Sequence, residues 1–206
     1  PLWSRGLGDV YKRQVRNNGV DGITLRAGDY TGTRIQNNRI TGNGRDGVFL
    51  DPTGISLANL LVGGAPAAQG NTIAGNGANG IETSSGSLAG VVIAGNAITA
   101  NGNQAARTGN GILVRGSGLM IGWDTAPFTG DVAPPPSNTI RGNALNGIEI
   151  ASGSGNSILS NAIFKNGAGT DSGAVGKGIS LGVTGSGNDG QPAPEIRKLV
   201  WDHHDD

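Results

Sequence analysis

The chain of 206 residues has no cysteine, one methionine and only 4% aromatic residues. Without cysteine, a small disulfide-bonded domain and a cysteine-ligated zinc or iron–sulfur centre are excluded. The sequence lacks a run of about 18 apolar residues, the length a membrane-spanning helix needs, so we expect no transmembrane segment in this fragment. The formal net charge of +0 argues against a nucleic-acid partner, because general nucleic-acid binding depends on excess positive charge.

Glycine, by contrast, is abundant, with 39 residues. It has no strict spacing of every third residue, which excludes a collagen triple helix. Glycine and asparagine interrupt the chain every few residues, so long helices are not expected. The short runs between them, such as Ile-Glu-Ile at 148–150, alternate in the way that predicts β-strands.

One phrase recurs from residue 15 onward: Asn-x-Ile, then Gly-Asn or a similar pair, then Gly followed by Ile or Val. It is seen as NNRITGNGRDGV at 37–48, GNTIAGNGANGI at 70–81 and SNTIRGNALNGI at 137–148. The aliphatic residues that end each copy are Ile23, Val48, Ile81, Ile112, Ile148 and Ile179, separated by 25, 33, 31, 36 and 31 residues. A short unit repeated with variable insertions is typical of a solenoid.

The order of the phrase favours parallel stacking over hairpins. Asn-Gly is a strong hairpin signal, but here the same phrase returns in the same order. We therefore expect coils with three strands each, stacked about 4.8 Å apart. Asparagines at equivalent turns predict ladders of hydrogen-bonded amides, and we expect these asparagines to adopt the left-handed backbone of the turns. The expected inward residues are Ile23, Leu25, Ile35, Ile40, Val48, Leu50, Ile73, Ile81, Ile98, Ile112, Val114, Ile140, Ile148, Ile150, Ile158, Ile163, Ile179 and Leu181.

A longer phrase carries a family resemblance. LLVGGAPAAQGNTIAGNGANGI at 60–81 has a second copy at 119–148, which differs at Trp123 and by a proline-rich insertion at 133–136. These phrases resemble the right-handed parallel β-helix repeat of pectate-lyase-like enzymes and of many secreted or surface-attached bacterial proteins. The resemblance implies an all-β, single-stranded right-handed parallel β-helix of about six coils over residues 15–199. It also implies an extracellular or cell-surface location, but not an activity, because this fold hosts many functions.

The two ends of the chain do not follow the recurring phrase. Residues 1–14, PLWSRGLGDVYKRQ, resemble the conceptual translation of a sequencing adapter, so we expect them to be an artefact; the alternative is a genuine polar strand. Residues 200–206 are expected to be a tail or a truncated end. They hold the only histidines, His203 and His204, so a Ser-His-Asp triad has no support.

The candidate catalytic residues lie beside the Gly-Ile anchors. Enzymes that resemble this class place carboxylates and basic residues on an outward sheet face, and the outward positions here include Arg26, Asp51, Glu82, Arg115 and Glu149. Glu82 and Glu149 would be two coils, or about 10 Å, apart, near the upper range for an inverting acid–base pair. We favour the alternative, in which Glu82 and Glu149 flank Arg115 as weak surface ion pairs.

Three aromatic residues are candidate ligand contacts. Tyr30, Trp123 and Phe128 lie in stretches rich in glycine and proline, where they could stack on sugar rings or pack a loop against the solenoid. The segment 124–137 is the longest excursion and the best candidate for a functional loop.

No cofactor and no metal site are expected, with calcium as the alternative. Residues 184–191, TGSGNDGQ, slightly resemble a calcium-binding repeat, but a single copy cannot build the shared cage. Asp46 and Asp51 could offer carboxylate oxygens, although turn chemistry explains both residues equally well.

Together these features predict a non-enzymatic structural or adhesin-like module, a fragment of a larger secreted or cell-surface bacterial protein whose partner is a polysaccharide or surface glycan. The alternative is a lyase, hydrolase or epimerase acting on an acidic polysaccharide. A periplasmic accessory protein for metal delivery is a weaker third reading, given the lack of cysteine and of clustered histidines. Convergence of Asp51, Glu82, Arg115 and Glu149 in a groove would favour the enzyme.

Overall fold

A computed structural model describes residues 9–64, 67–103, 108–123, 137–167 and 176–182. Three strands form each coil, and equivalent strands of successive coils form three sheets. The first sheet contains β1 (Asp9–Tyr11), β4 (Arg34–Gln36), β7 (Leu61–Gly63), β10 (Val92–Ala94), β13 (Met120–Gly122) and β16 (Ser157–Leu159). The second contains β2 (Gln14–Arg16), β5 (Arg39–Thr41), β8 (Thr72–Ala74), β11 (Ala97–Thr99), β14 (Thr139–Arg141) and β17 (Ala162–Phe164). The third contains β3 (Ile23–Leu25), β6 (Val48–Leu50), β9 (Ile81–Thr83), β12 (Ile112–Val114), β15 (Ile148–Ile150) and β18 (Ile179–Ser180).

All strand pairs between coils are parallel and in register. In the third sheet the predicted anchors stand directly above one another, as Val48 pairs with Ile81 and Ile81 with Ile112. A single 3-10 turn at Ala67–Gln69 is the only helical element in the described part of the chain. The predicted all-β parallel solenoid of about six coils is therefore confirmed, and the hairpin alternative is wrong.

The core is the column of aliphatic side chains inside the three sheets. The predicted inward residues of the middle coils, such as Ile73, Ile98 and Ile112, are fully buried. Ile23, Ile163 and Leu181 are only partly buried and pack against the core. They lie in the first and last described coils, whose strands pair with one neighbouring coil within the described residues.

The sequence reasoning missed much of the core under the first sheet. The residues missed there and at the turn leading into it are all buried: Leu57, Leu60, Val62, Leu88, Val91, Ile93, Leu119 and Ile121. The recurring phrase covers the second and third strands of each coil but not the first. The short aliphatic runs at 60–62, 91–93 and 119–121 were the signal for these strands.

Three ladders of side chains run along the corners of the solenoid, as predicted. The first contains Asn38, Asn71, Asn96, Asn138 and Asn161, and the second contains Asn18, Asn43, Asn76, Asn101, Asn143 and Asn166. The third contains Asp21, Asp46, Asn79, Asn110 and Asn146. In the first two ladders each amide nitrogen donates to the side-chain oxygen of the next coil, which ties consecutive coils together.

The left-handed residues of the second corner are not the ladder asparagines, which corrects one expectation. The residue before each ladder position has the positive φ: Gly75 (φ 63°) precedes Asn76, and Ala100 (φ 54°) precedes Asn101. The two residues of the Gly-Asn pair thus have different structural roles. Glycine makes the turn, and asparagine, with its backbone outside the left-handed region, joins the ladder.

Replacing Ala100 with glycine is expected to raise the free energy of unfolding by about 0.5–1 kcal/mol. Alanine is strained in the left-handed region, which glycine adopts freely, and Ala100 is exposed, so little packing is lost. Chemical denaturation monitored by circular dichroism measures the change. The reverse substitution, Gly75→Ala, is the control, because a Cβ there meets nothing within 4 Å and only the backbone cost remains. Equal stability of the two variants would contradict the argument.

Residues 9–14, within the adapter-like segment, form β1 and the start of β2 and pair with β4 and β5. The origin of this segment stays a prediction. Residues 183–206, with His203 and His204, lie outside the described residues.

Candidate functional site

The predicted functional face is the outer surface of the third sheet. Its middle positions form one outward column along the solenoid: Thr24, Phe49, Glu82, Leu113, Glu149 and Ser180. Phe49 and Leu113 are nevertheless only 8% and 7% exposed. Over Phe49, the guanidinium carbons of Arg26 and Arg45 each lie 5.6 Å from the ring centroid, a cation–π arrangement that covers the ring.

Of the four predicted catalytic residues, the structure brings two together. Arg115 Nη1 donates to Glu82 Oε1 in a close ion pair, with the Arg115 side chain 41% exposed and that of Glu82 15% exposed. Glu149 Oε2 instead accepts a hydrogen bond from Asn146 Nδ2 at 3.1 Å, and none of the ion pairs within the described ranges includes it. Leu113 separates Glu82 from Glu149 in the column.

Asp51 is held at the end of β6 by a separate set of hydrogen bonds. Its Oδ1 accepts from Ser84 Oγ at 2.8 Å and from the backbone nitrogen of Thr53 at 3.2 Å. The Ser84 bond, followed by those of Thr53, keeps the pKa of Asp51 below its ordinary value. Hydrogen bonds of this kind favour the charged form, so Asp51 is unsuited to donate a proton near neutral pH.

The third ladder contains a buried acidic residue, Asp46, which the sequence analysis considered only as a possible calcium ligand or a turn residue. Asp46 is fully buried and occupies a position that Asn79, Asn110 and Asn146 fill in later coils. Its Oδ1 accepts from Asn79 N at 2.8 Å and Asn79 Nδ2 at 3.1 Å, while Arg45 Nη2 lies 3.1 Å from Oδ2. The sequence signal was an Asp-Gly pair at 46–47, as at 21–22, where the later copies at 79–80, 110–111 and 146–147 have Asn-Gly.

Burial, reinforced by the charges of Glu82 and Asp21, raises the pKa of Asp46 to about 6, against hydrogen bonds from Asn79 that lower it. In the unfolded chain the carboxyl of Asp46 has its ordinary pKa of 3.8. Between these two pKa values the folded protein therefore holds a proton that the unfolded chain has lost. The contribution of Asp46 to the free energy of unfolding is therefore greatest below about pH 4 and falls as the pH rises towards 6.

The variant Asp46→Asn is expected to remove this pH dependence and to raise the free energy of unfolding at pH 7.5 by on the order of 2 kcal/mol. Asparagine is neutral, and its amide can donate to Asp21 Oδ1, which now accepts from Asp46 N. The gain is partly offset because the ion pair between Arg45 Nη2 and Asp46 Oδ2 is lost. Urea denaturation at several pH values between 4 and 7.5 measures the change.

The control is Asp51→Asn, which removes a half-buried carboxylate whose pKa is lowered. That variant should keep the fall in stability between pH 4 and 6. A wild-type protein that is more stable at pH 7.5 than at pH 4.5, with no gain from Asp46→Asn, would overturn the assignment.

The structure gives no support to a calcium site at Asp46 and Asp51 beyond the two carboxylates themselves. Asp46 is enclosed in the ladder, whereas Asp51 is hydrogen-bonded at the surface. Across the ranges described, no three His, Cys, Asp or Glu side chains are grouped so that they could hold a metal ion. Residues 184–191 lie outside these ranges, so calcium binding stays an untested alternative.

Of the aromatic candidates, Tyr30 packs against the core. It is partly buried, and its hydroxyl donates to the carbonyl oxygen of Arg26 at 2.9 Å. Trp123 is half-buried directly after β13. Phe128 and most of the segment 124–137 lie outside the described residues. Tyr30 thus favours the packing role over sugar stacking.

A shallow hollow of about 410 Å³ lies away from these residues, at the border of the first and second sheets. Lys12, Arg13, Arg39, Asn38 and Thr72 are among its lining residues. The hollow is therefore basic, in contrast to the mixed charges of the third sheet.

A comparison with known protein families agrees with the parallel coils and side-chain ladders of the structure. The family described as "Right handed beta helix region" matches residues 7–122, more than half of the chain. The protein belongs to this family, and its coils form a right-handed parallel β-helix. No curated protein and no solved structure shows a significant match. Among the described residues there is no helix with the length and apolar character needed to cross a bilayer.

Proposed function

We propose that the chain is a non-enzymatic structural or adhesin-like module of a larger bacterial protein, secreted or displayed at the cell surface, where it faces glycans. The observation that carries the proposal is that each carboxylate of the predicted functional face already accepts a hydrogen bond from a side chain of the protein, which for Glu149 is that of Asn146. Glu82 is bound by Arg115 and Asn79, and Asp51 by Ser84. Carboxylates that neighbouring side chains already hold in this way are poorly placed to act as a proton donor or a base towards a substrate.

The rod-like construction supports the same role. Three continuous ladders and three sheets tie each coil to its neighbours over the described length. In such a solenoid each coil contacts only the coils next to it. A stack of this kind can serve as a stiff spacer whose length depends on the number of coils.

A carbohydrate-active enzyme is the competing proposal. Glycoside hydrolysis requires two carboxyl groups on opposite sides of one bond, usually less than about 10 Å apart. Glu82 and Glu149 are separated by two strand spacings, about 10 Å, and Glu82 is engaged by Arg115. The separation is at the limit for an inverting pair, and no third group in the described chain bridges the two.

Incubation with polyuronate chains tests the proposal directly. We expect neither new unsaturated ends, read by ultraviolet absorbance, nor new reducing ends, and the same background from wild type and from the double variant Glu82→Gln/Glu149→Gln. Turnover by wild type that the double variant loses would replace the proposal with the enzymatic one. A matched variant, Asp51→Asn, identifies whether any turnover depends on these two glutamates in particular.

A further inference from the structure

Eight of the ladder asparagines are followed directly by glycine, five in the second ladder and three in the third. An Asn-Gly pair is chemically reactive, because glycine has no side chain to keep its backbone nitrogen away from the preceding asparagine side chain. The nitrogen attacks Cγ of the asparagine: the N–Cγ bond forms, the Cγ–Nδ2 bond breaks, and ammonia leaves with the amide proton of the glycine. Water then opens the cyclic imide at either carbonyl, which gives aspartate or isoaspartate.

In seven of these pairs the glycine nitrogen is already a hydrogen-bond donor to a carbonyl oxygen of a neighbouring coil. Gly77 N donates to Asn43 O at 2.8 Å, and Gly80 N donates to Asn110 O at 3.0 Å. The other five donors are Gly44, Gly102, Gly111, Gly147 and Gly167. Attack on Cγ would break a bond between two coils in each of these pairs, which adds to the barrier of the reaction.

The asparagine side chains of the same seven pairs are also held in place. Six of them are buried. The seventh, Asn166, is half-buried, and its Oδ1 accepts from Asn143 N at 3.1 Å and from Asn143 Nδ2 at 2.8 Å. Its Nδ2 donates to the carbonyl oxygen of Ile140 at 3.0 Å. Each of these side chains would have to leave its ladder before it could cyclise.

The pair formed by Asn18 and Gly19 differs in each of these respects. Both residues are exposed, and a Cβ built on Gly19 meets nothing within 4 Å. Gly19 lies in the first described coil, and within the described chain its nitrogen donates to no acceptor. The Asn18 side chain is held by one bond, from Nδ2 to Asn43 Oδ1 at 2.8 Å, and no group in the described ranges donates to its Oδ1.

We propose that Asn18 is a site of covalent modification in the folded protein, which loses its side-chain amide through a cyclic imide with Gly19 N. Water is the second reactant and ammonia the leaving group, so the reaction needs no enzyme. The ladders protect the other seven pairs, because they hold both reacting groups. The inference does not depend on the proposed function.

The modification is expected to loosen the first described coil. An aspartate at position 18 has no amide to donate to Asn43 Oδ1, so the ladder bond is lost. Isoaspartate also adds a methylene group to the main chain, which displaces the carbonyl oxygen of residue 18 from Gly44 N, now 2.8 Å away. Since coils contact only their neighbours, later coils should keep their hydrogen-exchange protection.

Incubation of the full chain at mildly alkaline pH, followed by peptide mass spectrometry with fragmentation, tests the proposal. We expect Asn18 to convert to aspartate and isoaspartate first. The other seven asparagines should convert at least about tenfold more slowly, because each needs a local opening of its coil. In concentrated urea, which removes this protection, the eight pairs should convert at similar rates.

The variant Gly19→Ala tests the attacking nitrogen. Its added methyl group hinders the approach of that nitrogen to Cγ, so conversion at Asn18 should slow by at least about tenfold. An unchanged rate in this variant, or conversion of Asn18 as slow as that of Asn76 in the folded wild type, would overturn the site.

The internal control is Asn166, which is half-buried but is followed by a glycine whose nitrogen donates to Asn143 O at 2.9 Å. Slow conversion there supports protection by the bound nitrogen. Conversion of Asn166 as fast as that of Asn18 would show that the hydrogen bonds between coils give no protection, and would overturn that part of the proposal.

Discussion

Replacing Gly80 with alanine is expected to lower the free energy of unfolding by about 3 kcal/mol, the upper range for forcing extra volume into a close-packed site. Gly80 directly precedes Ile81 of the third sheet. A Cβ at this position would lie 2.5 Å from Ile98 Cγ2, 2.6 Å from the carbonyl oxygen of Gly111 and 2.9 Å from Asn101 Nδ2. Because one of these neighbours is backbone of the next coil, the clash is relieved only by separating two coils.

Equilibrium denaturation by urea, followed by far-ultraviolet circular dichroism, measures this loss. Gly19→Ala is the matched control, since a Cβ there meets nothing within 4 Å, and its effect should stay within about 0.5 kcal/mol. If both variants unfolded at the same urea concentration as wild type, the close approach of the coils at Gly80 would be wrong.

Asn76→Ala is expected to cost about 4 kcal/mol, because it interrupts the second ladder in the middle of the solenoid. The Asn76 side chain is buried and accepts from Asn43 N at 3.1 Å and Asn43 Nδ2 at 2.8 Å. It also donates to Asn101 Oδ1 at 2.9 Å and to the carbonyl oxygen of Ile40 at 3.3 Å. Alanine leaves several of these buried groups with fewer partners, at about 1–3 kcal/mol for each one left unsatisfied.

The end of the same ladder provides the control. Asn18 is exposed, and its side chain donates one ladder bond, to Asn43 Oδ1 at 2.8 Å, an atom that also accepts from Asn18 N. Asn18→Ala should therefore cost less than about 1 kcal/mol. Thermal unfolding of both variants beside wild type gives the comparison, and a larger loss at Asn18 than at Asn76 would contradict the importance of ladder position.

Both substitutions bear on the proposed role, because a spacer depends on continuous contact between coils. In a solenoid, stability is close to a sum of unit and interface terms. A defect at Gly80 or Asn76 is therefore expected to weaken the adjoining coils more than distant ones. Hydrogen exchange would locate the loss of protection around β8, β9 and β11 rather than over the whole chain.

Much of the fold could be predicted from the recurring phrase, but less of the candidate site could. The anchors from Val48 to Ile148 are buried and paired as predicted, because one local pattern specifies both a strand and the turn before it. The outward placement of Glu82 and Glu149 followed from the same alternation. Their different partners did not, since Arg115 and Asn146 reach them from positions that alternation does not define.

The phrase likewise could not distinguish the two kinds of glycine. Gly75 precedes a ladder asparagine and has a positive φ, whereas Gly80 precedes an anchor and is needed for close approach. In the sequence, both are simply glycines of the same repeat, and nothing distinguishes their roles. Only the stacked coils show that the first is a requirement of the backbone and the second a requirement of space.

By itself, the sequence determined that the chain winds in parallel coils with aliphatic side chains inside and amide ladders at the corners, because these features depend on a pattern repeated within each coil. Tertiary structure alone decided that Asp46 is buried with a raised pKa, that Glu82 pairs with Arg115 and that Glu149 is held by Asn146 instead. The physical reason is distance along the chain. Asp46 and Asn79 are 33 residues apart, as are Glu82 and Arg115, so their contacts exist only once the register of the coils is set.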